Sequence, residues 1–295
     1  MSRSLGVLGI AALSLTLGAC SNDMPSQPSS FNAGRINGSI STASPLQRVA
    51  HVVTAAGDIR QGVADFRLAL GDLNANAPGS LPGGRREINW DAVPAQFTNV
   101  DNFPADFFNQ PAVGRARGTV FSTPGTGFRT SDNNFTDLNA DFAHEFVFFS
   151  PIRTFAAVGS SDMTVAFFVP GSSDAATTTG FGVVFSDVDH NGSASIRLFD
   201  AEGKSLGRYA APTSPSGLSF VGVSFPTAVV ARVEIESGKG AVAAGAIDIS
   251  DQEGEEEARD LVIMDDFIYG EPQPLVAGDQ AAANSGASFV VARAR

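Results

Sequence analysis

Gly180-Phe-Gly-Val-Val-Phe-Ser-Asp-Val-Asp-His-Asn-Gly192 is the stretch on which the fold turns. Phe181, Val183 and Phe185 share one face of an extended chain, because side chains alternate across a strand. The polar run from Asp187 to Gly192 breaks the pattern, and Ile196 and Leu198 resume it. A second turn, Asp200-Ala-Glu-Gly203, leads through Leu206 and Tyr209 to the apolar run 218–225 and the alternating Val229, Ala231, Val233 and Ile235. Alternate burial, with Asp, Asn and Gly in the intervening turns, predicts antiparallel strands with one buried face each. Composition points the same way. With 31 Gly and 23 Phe against 1 Trp and 2 Tyr in 295 residues, the chain suits strands joined by tight turns and phenyl rings filling the gap between two sheets. The expected fold class is all-β: an antiparallel, jelly-roll-like β-sandwich.

Outward from this block, residues 50–56, 85–91, 117–121, 142–149, 154–158, 163–169 and 261–269 read as further strands, and 128–139 reads as a polar loop. Ile59, Val63, Phe66, Leu70 and Leu73 recur at helical spacing, which predicts one short N-terminal helix ending near Gly71. The acidic run 251–257 reads as a solvated loop.

The first nineteen residues carry a basic start at Arg3 and an apolar stretch, 5–17, too short to cross a bilayer, the pattern of a secretory signal. Leu17-Gly18-Ala19-Cys20 resembles the lipobox of bacterial lipoproteins. That resemblance implies lipidation of Cys20, which becomes the mature N-terminus, and Ser21 after it favours export to the outer membrane of a Gram-negative cell. The expected organisation is a signal peptide at 1–19, a flexible tether at 20–49, a β-sandwich domain at 50–274 and a flexible tail at 275–295. Cys20 is the only cysteine, so once acylated it leaves the mature domain without a thiol for disulfides, thiolate metal sites or nucleophilic catalysis. The expected location is the cell envelope, lipid-anchored and either periplasmic or surface-exposed. Net charge is −12 with only two lysines, Lys204 and Lys239, which argues against nucleic acid and against electrostatic docking on anionic lipid.

Chemistry is sparse. Asp187, Asp189 and Asn191 place oxygen-bearing side chains at alternate positions before Gly192, as in the first half of an EF-hand loop. The twelfth position is Leu198, not an acid, so two readings stand: a polar hairpin turn, or a structural calcium site, the one cofactor the sequence suggests. Trp90 is either a buried ring or a stacking platform for a sugar, and Arg85 and Arg86 alternate, so one of them at most faces a ligand. Asp265 and Asp266 are adjacent in a strand, which predicts carboxylates on opposite faces. His51, His144 and His190 show no metal-ligand spacing, and no nucleophile elbow, Walker loop or dinucleotide fingerprint occurs.

Five phrases together resemble a group of exported bacterial proteins often found with PEP-CTERM sorting tails: Gly84-Arg-Arg-Glu-Ile-Asn-Trp-Asp91, Val120-Phe-Ser-Thr-Pro-Gly-Thr-Gly127, Phe199-Asp-Ala-Glu-Gly203, Leu218-Ser-Phe-Val-Gly-Val-Ser-Phe225 and Met264-Asp-Asp-Phe-Ile-Tyr-Gly270. The resemblance implies a jelly-roll-like sandwich and exposure outside the cytoplasm, and carries no catalytic residue. Three functions follow as expectations. The first is a non-enzymatic binding or adhesion module for a glycan or matrix ligand. The second is a glycan-active hydrolase using carboxylates such as Glu87 and Asp91. The third is a structural envelope protein without a small ligand.

Overall fold

The computed structural model describes residues 49–249 and 259–275. The leader, Cys20, the tether, the acidic run 251–257 and the tail beyond residue 275 lie outside the described residues. In chain order the elements are β1 (His51–Ala56), α1 (Arg60–Leu70), β2 (Arg85–Ile88), β3 (Thr119–Ser122), β4 (Gly127–Ser131), β5 (Thr154–Val158) and β6 (Asp162–Phe167). There follow β7 (Ala176–Thr177), β8 (Gly180–Val188), β9 (Ala194–Phe199), β10 (Ser205–Ala210), β11 (Ser214–Ser224), β12 (Arg232–Ser237), β13 (Ile263–Gly270) and β14 (Gln273–Pro274).

Two antiparallel sheets stack face to face. The seven-stranded sheet runs β1-β11-β8-β13-β5-β4, with β2 also paired to β13. The five-stranded sheet runs β10-β9-β12-β6-β3, and β7 with β14 forms a short separate ladder. The chain crosses repeatedly between the sheets, so strand neighbours are mostly distant in sequence, as in a jelly roll. Phe181, Val183, Phe185, Phe267 and Tyr269 from the larger sheet meet Val165, Phe167, Ile196, Leu198, Val233 and Ile235 from the smaller one in a single buried core. The all-β sandwich expected from the alternation is the observed fold.

The two sheets differ on their outer faces. Every residue of β5, β8 and β13 is buried, so the middle of the larger sheet is covered on both sides. Helix α1 supplies one cover, packing Val63 and Phe66 on Val184, Phe220 and Ile268. Phe66 lies over Gly182 and Gly222, which pair across β8 and β11 and leave room for its ring. Phe135, Phe142 and Phe146 cover the same outer face further along, over Ala156 and Ile263, and the smaller sheet covers the inner face. In β6 and β12 buried residues alternate with exposed or half-buried ones, so the smaller sheet keeps an open face.

Three expectations need correction. The strand expected to end before a polar loop at Asp187 runs from Gly180 to Val188, and its expected half-burial is burial on both faces, because helix α1 covers the side bearing Val184. Residues 142–149 form no strand; a short 3₁₀ turn, Ala140–Ala143, begins a loop that turns Phe142 and Phe146 onto the larger sheet. The loop expected over 128–139 starts with β4, and the strand expected over 85–91 stops at Ile88, two residues before Trp90 enters the left-handed region at φ 63°.

Candidate functional site

The open face of the five-stranded sheet carries a groove of about 290 Å³. Inward residues of β6, β9 and β12 are apolar, so the period of two sends their polar residues outward. Cross-strand register then builds rows: Arg208, Arg197, Glu234 and Thr164 lie opposite one another, and Ser195, Glu236 and Asp162 form the next row. These seven residues line the groove. Arg208 donates to Glu236 at 2.6 Å, Lys239 pairs with the same carboxylate, and Arg232 pairs with Glu234 while lying 3.7 Å over the Phe199 ring. Arg197 stands 4.0 Å from Glu234, outside hydrogen-bonding distance, and is half exposed. Partial burial pushes Glu236 upward, but Lys239 and Arg208 outweigh it and hold the carboxyl below its ordinary value. The groove is thus an array of guanidinium, carboxyl and hydroxyl donors and acceptors at strand spacing, with no aromatic ring in its lining.

At one end of β8 a second polar cluster forms. Asp187, in the left-handed region at φ 70°, lies beside Asp189, and Asp248 reaches them from the segment after Val242. One carboxylate oxygen from each falls within 4.8 Å of the others. Burial, reinforced by the charges of Asp189, Asp248 and Glu145, drives the Asp187 carboxyl up to about 8, although the Ser216 amide pulls the other way. Asn191 is exposed on the turn that follows. The turn reading is also present: Ser193 N–H donates to the His190 carbonyl at 3.1 Å. An EF-hand geometry does not form, because Asp187 still belongs to β8 and the third acid comes from another segment.

Trp90 offers no face to a ligand. Its ring is 1 % exposed, stacks on Phe155 at 3.9 Å and 5°, and meets Phe103, Phe108 and Phe267 edge-on. Its indole N–H donates to the Asp265 carbonyl at 2.8 Å, so the placement of Trp90 at a binding surface is corrected to a core position. Arg85 is likewise engaged, donating to Glu87 at 2.6 Å and to the Gly71 carbonyl at 2.5 Å. Arg86 is buried with all five N–H donors used, two on Glu271 and three on the carbonyls of Ala77, Gly79 and Ala116. Burial alone would raise Glu87, yet hydrogen bonds from Arg67 and Arg85 hold it below the ordinary range, unlike a general acid. Asp91 accepts from the backbone amides of Ile152 and Arg153 and closes a loop.

Asp265 and Asp266 point the same way, against expectation. Met264 pairs with Phe185 and Phe267 with Val183, so β13 holds one residue more than β8 between these points, a β-bulge. Met264 and Phe267 both enter the core, and both aspartates turn outward to the Ser150 hydroxyl, at 3.1 Å and 2.8 Å. Burial, then the charge of Asp266, holds the Asp265 carboxyl well above the usual carboxylate range. Both residues are no more than 2 % exposed, so no substrate reaches them.

Sequence reasoning passed over Asp248, the groove and the bulge. Asp248 sits in Ile247-Asp248-Ile249, whose alternation was the available signal. The groove residues alternate visibly along each strand, but only strand pairing makes them neighbours.

No family model and no curated protein matches the chain. Among solved structures it is similar to the enzymatically active domain of bacteriophage CBA120 tailspike protein 4, at 18 % identity and a TM-score of 0.26. The match covers 61 % of this chain and 22 % of that one, so the chain spans about a fifth of the tailspike structure's length. A likeness that weak carries no argument about fold or function.

Proposed function

We propose that this chain is a cell-envelope lipoprotein, anchored through acylated Cys20, that displays a non-enzymatic β-sandwich. Its open five-stranded face recognises an extended, hydroxyl-rich ligand of the glycan class. The observation that carries the reading is the asymmetry of the two sheets: the middle of the larger one is closed on both faces, and the smaller one presents a polar groove. Guanidinium and carboxylate groups side by side both donate to and accept from vicinal hydroxyls, and charge-assisted bonds are the stronger kind. Without an aromatic platform each site binds weakly, and many copies on one membrane raise avidity. A hydrolase needs a reachable carboxyl held in its acid form; Glu87 is paired and low, and the raised pair at Asp265 and Asp266 is shut in.

The test is capture of cells expressing the full chain on immobilised glycans. The wild type should adhere to a defined subset, and Arg197→Ala with Glu234→Ala should lose adhesion while keeping the same surface level. Cys20→Ala should move the chain from the membrane fraction to the soluble one and abolish adhesion. Wild-type cells that adhere to no glycan, or groove variants that adhere equally well, would refute the recognition surface. Cys20→Ala that stays with the membrane would refute the anchor.

A further inference from the structure

A buried carboxylate oxygen without a hydrogen-bond donor is costly, so it takes up a proton or a cation. Asp187 is 1 % exposed; its Oδ1 accepts from the Ser216 amide at 2.6 Å, while Oδ2 is closed to solvent and meets no donor. The same carboxylate group belongs to the cluster formed with Asp189 and Asp248. Behind it, Asp260 is fully buried, its Oδ2 holding the Asp189 and His190 amides at 3.2 Å each and its Oδ1 also meeting no donor. Asp248 is itself steadied by the Leu261 amide at 3.3 Å.

We propose that Asp187, Asp189 and Asp248 form a calcium site that clips the segment carrying Asp248 to the end of β8, with Asp260 as a positioning residue. Three observations carry this. The donor set is all carboxylate oxygen, the chemistry of a hard cation. The oxygens lie within 4.8 Å of one another, so a shift of about half an ångström at most brings all three to a Ca–O distance of about 2.3–2.6 Å from one ion. The orphaned Asp187 Oδ2 is an acceptor already buried and desolvated before any ligand arrives. Calcium is favoured over magnesium because a site drawn from two segments gives irregular geometry, which Ca²⁺ tolerates and octahedral Mg²⁺ does not. To the residues expected from the sequence the structure adds an acid from another segment: Asp248, fifty-nine residues beyond Asp189, completes the carboxylate cluster. The site lies apart from the groove residues and stands whether or not the glycan reading does.

The full chain, stripped with a chelator and dialysed free of it, is titrated with CaCl₂ by calorimetry and melted in CaCl₂ or MgCl₂. One ion should bind per chain. At a hundredfold excess over Kd, calcium should raise Tm by about 5–10 °C, and magnesium should do less. Asp187→Asn and Asp248→Asn should each weaken calcium binding by at least about tenfold, whereas the exposed Asp174→Asn should leave it unchanged. Asp187→Asn should fold without calcium, since an amide removes the buried charge. No heat and no Tm shift in millimolar calcium would overturn the proposal. So would a response that survives in Asp187→Asn and Asp248→Asn, or one that magnesium reproduces in full.

Discussion

Ser150 Oγ lies 3.1 Å from Asp265 Oδ1, 2.8 Å from Asp266 Oδ1 and 3.4 Å from the Asn89 carbonyl, yet one hydroxyl donates one proton. The two carboxylates therefore need a second proton between them, and Asp265 holds it, being buried and already facing the charge of Asp266. Its folded-state affinity for a proton is raised above the ordinary value of 3.8, so above that pH the folded chain keeps a proton that the unfolded chain releases. Stability from this pair is then present at low pH and declines as pH rises, by up to about 1.4 kcal/mol per pH unit. Asp265→Asn mimics the protonated acid: its oxygen accepts from the Phe149 and Ser150 amides, and its NH₂ donates to Asp266. Urea denaturation from pH 4 to pH 8 should show the variant with a flatter stability curve than wild type and greater stability at neutral pH. An unchanged slope would remove the proton from the pair.

At the scale of elements, helix α1 is held to the sheet by fit as much as by apolar area. A methyl at Gly182 would come within 2.7 Å of Phe66 Cε1, and one at Gly222 within 2.7 Å of Phe66 Cδ2. Arg67 adds a polar latch, donating to Glu87 at 2.7 Å and to Asp266 at 3.2 Å. Gly222→Ala should cost about 1–3 kcal/mol by overpacking, measured by chemical denaturation. Phe66→Leu frees space above the glycine, so the same Gly222→Ala step should cost less in that background than in the wild type. Equal costs in both backgrounds would mean that the ring is not the obstacle. The Ile59, Val63, Phe66 and Leu70 stripe was legible in the sequence, since all four are buried at helical spacing. Leu73 falls off it and is exposed, because Gly71 ends the helix first.

Across the whole molecule, Arg86 ties β2 to the residue that follows β13. It donates twice to Glu271, at 2.7 Å each, over 185 residues of chain, and Glu271 also accepts from the Leu81 amide and the Asn74 side chain. Both side chains are about 1 % exposed, so water cannot replace a missing partner. Glu271→Ala should therefore lower stability by about 3–5 kcal/mol. Replacing both residues by apolar ones of similar volume should recover part of that loss. A loss below about 1 kcal/mol for Glu271→Ala would show the pair to be solvated in solution.

The sequence by itself determined what period and turn chemistry encode: an all-β sandwich, one helix with its buried stripe, and most strand positions. It also marked the polar run that opens at Asp187, although Asp187 itself still belongs to β8. Those features depend on neighbours a few residues apart, which a linear pattern displays. Only the tertiary structure decided that β8 is buried on both faces, because the helix covering it comes from far upstream. Only pairing against β8 revealed the bulge that turns Asp265 and Asp266 to one side, since an extra residue is defined by what it fails to pair with. Trp90 went to the core and Arg86 to Glu271 for the same reason: the partners that decide a side chain's place are distant in sequence. The groove and the Asp187–Asp189–Asp248 cluster belong to that class, being made of residues that become neighbours only when the sheets close.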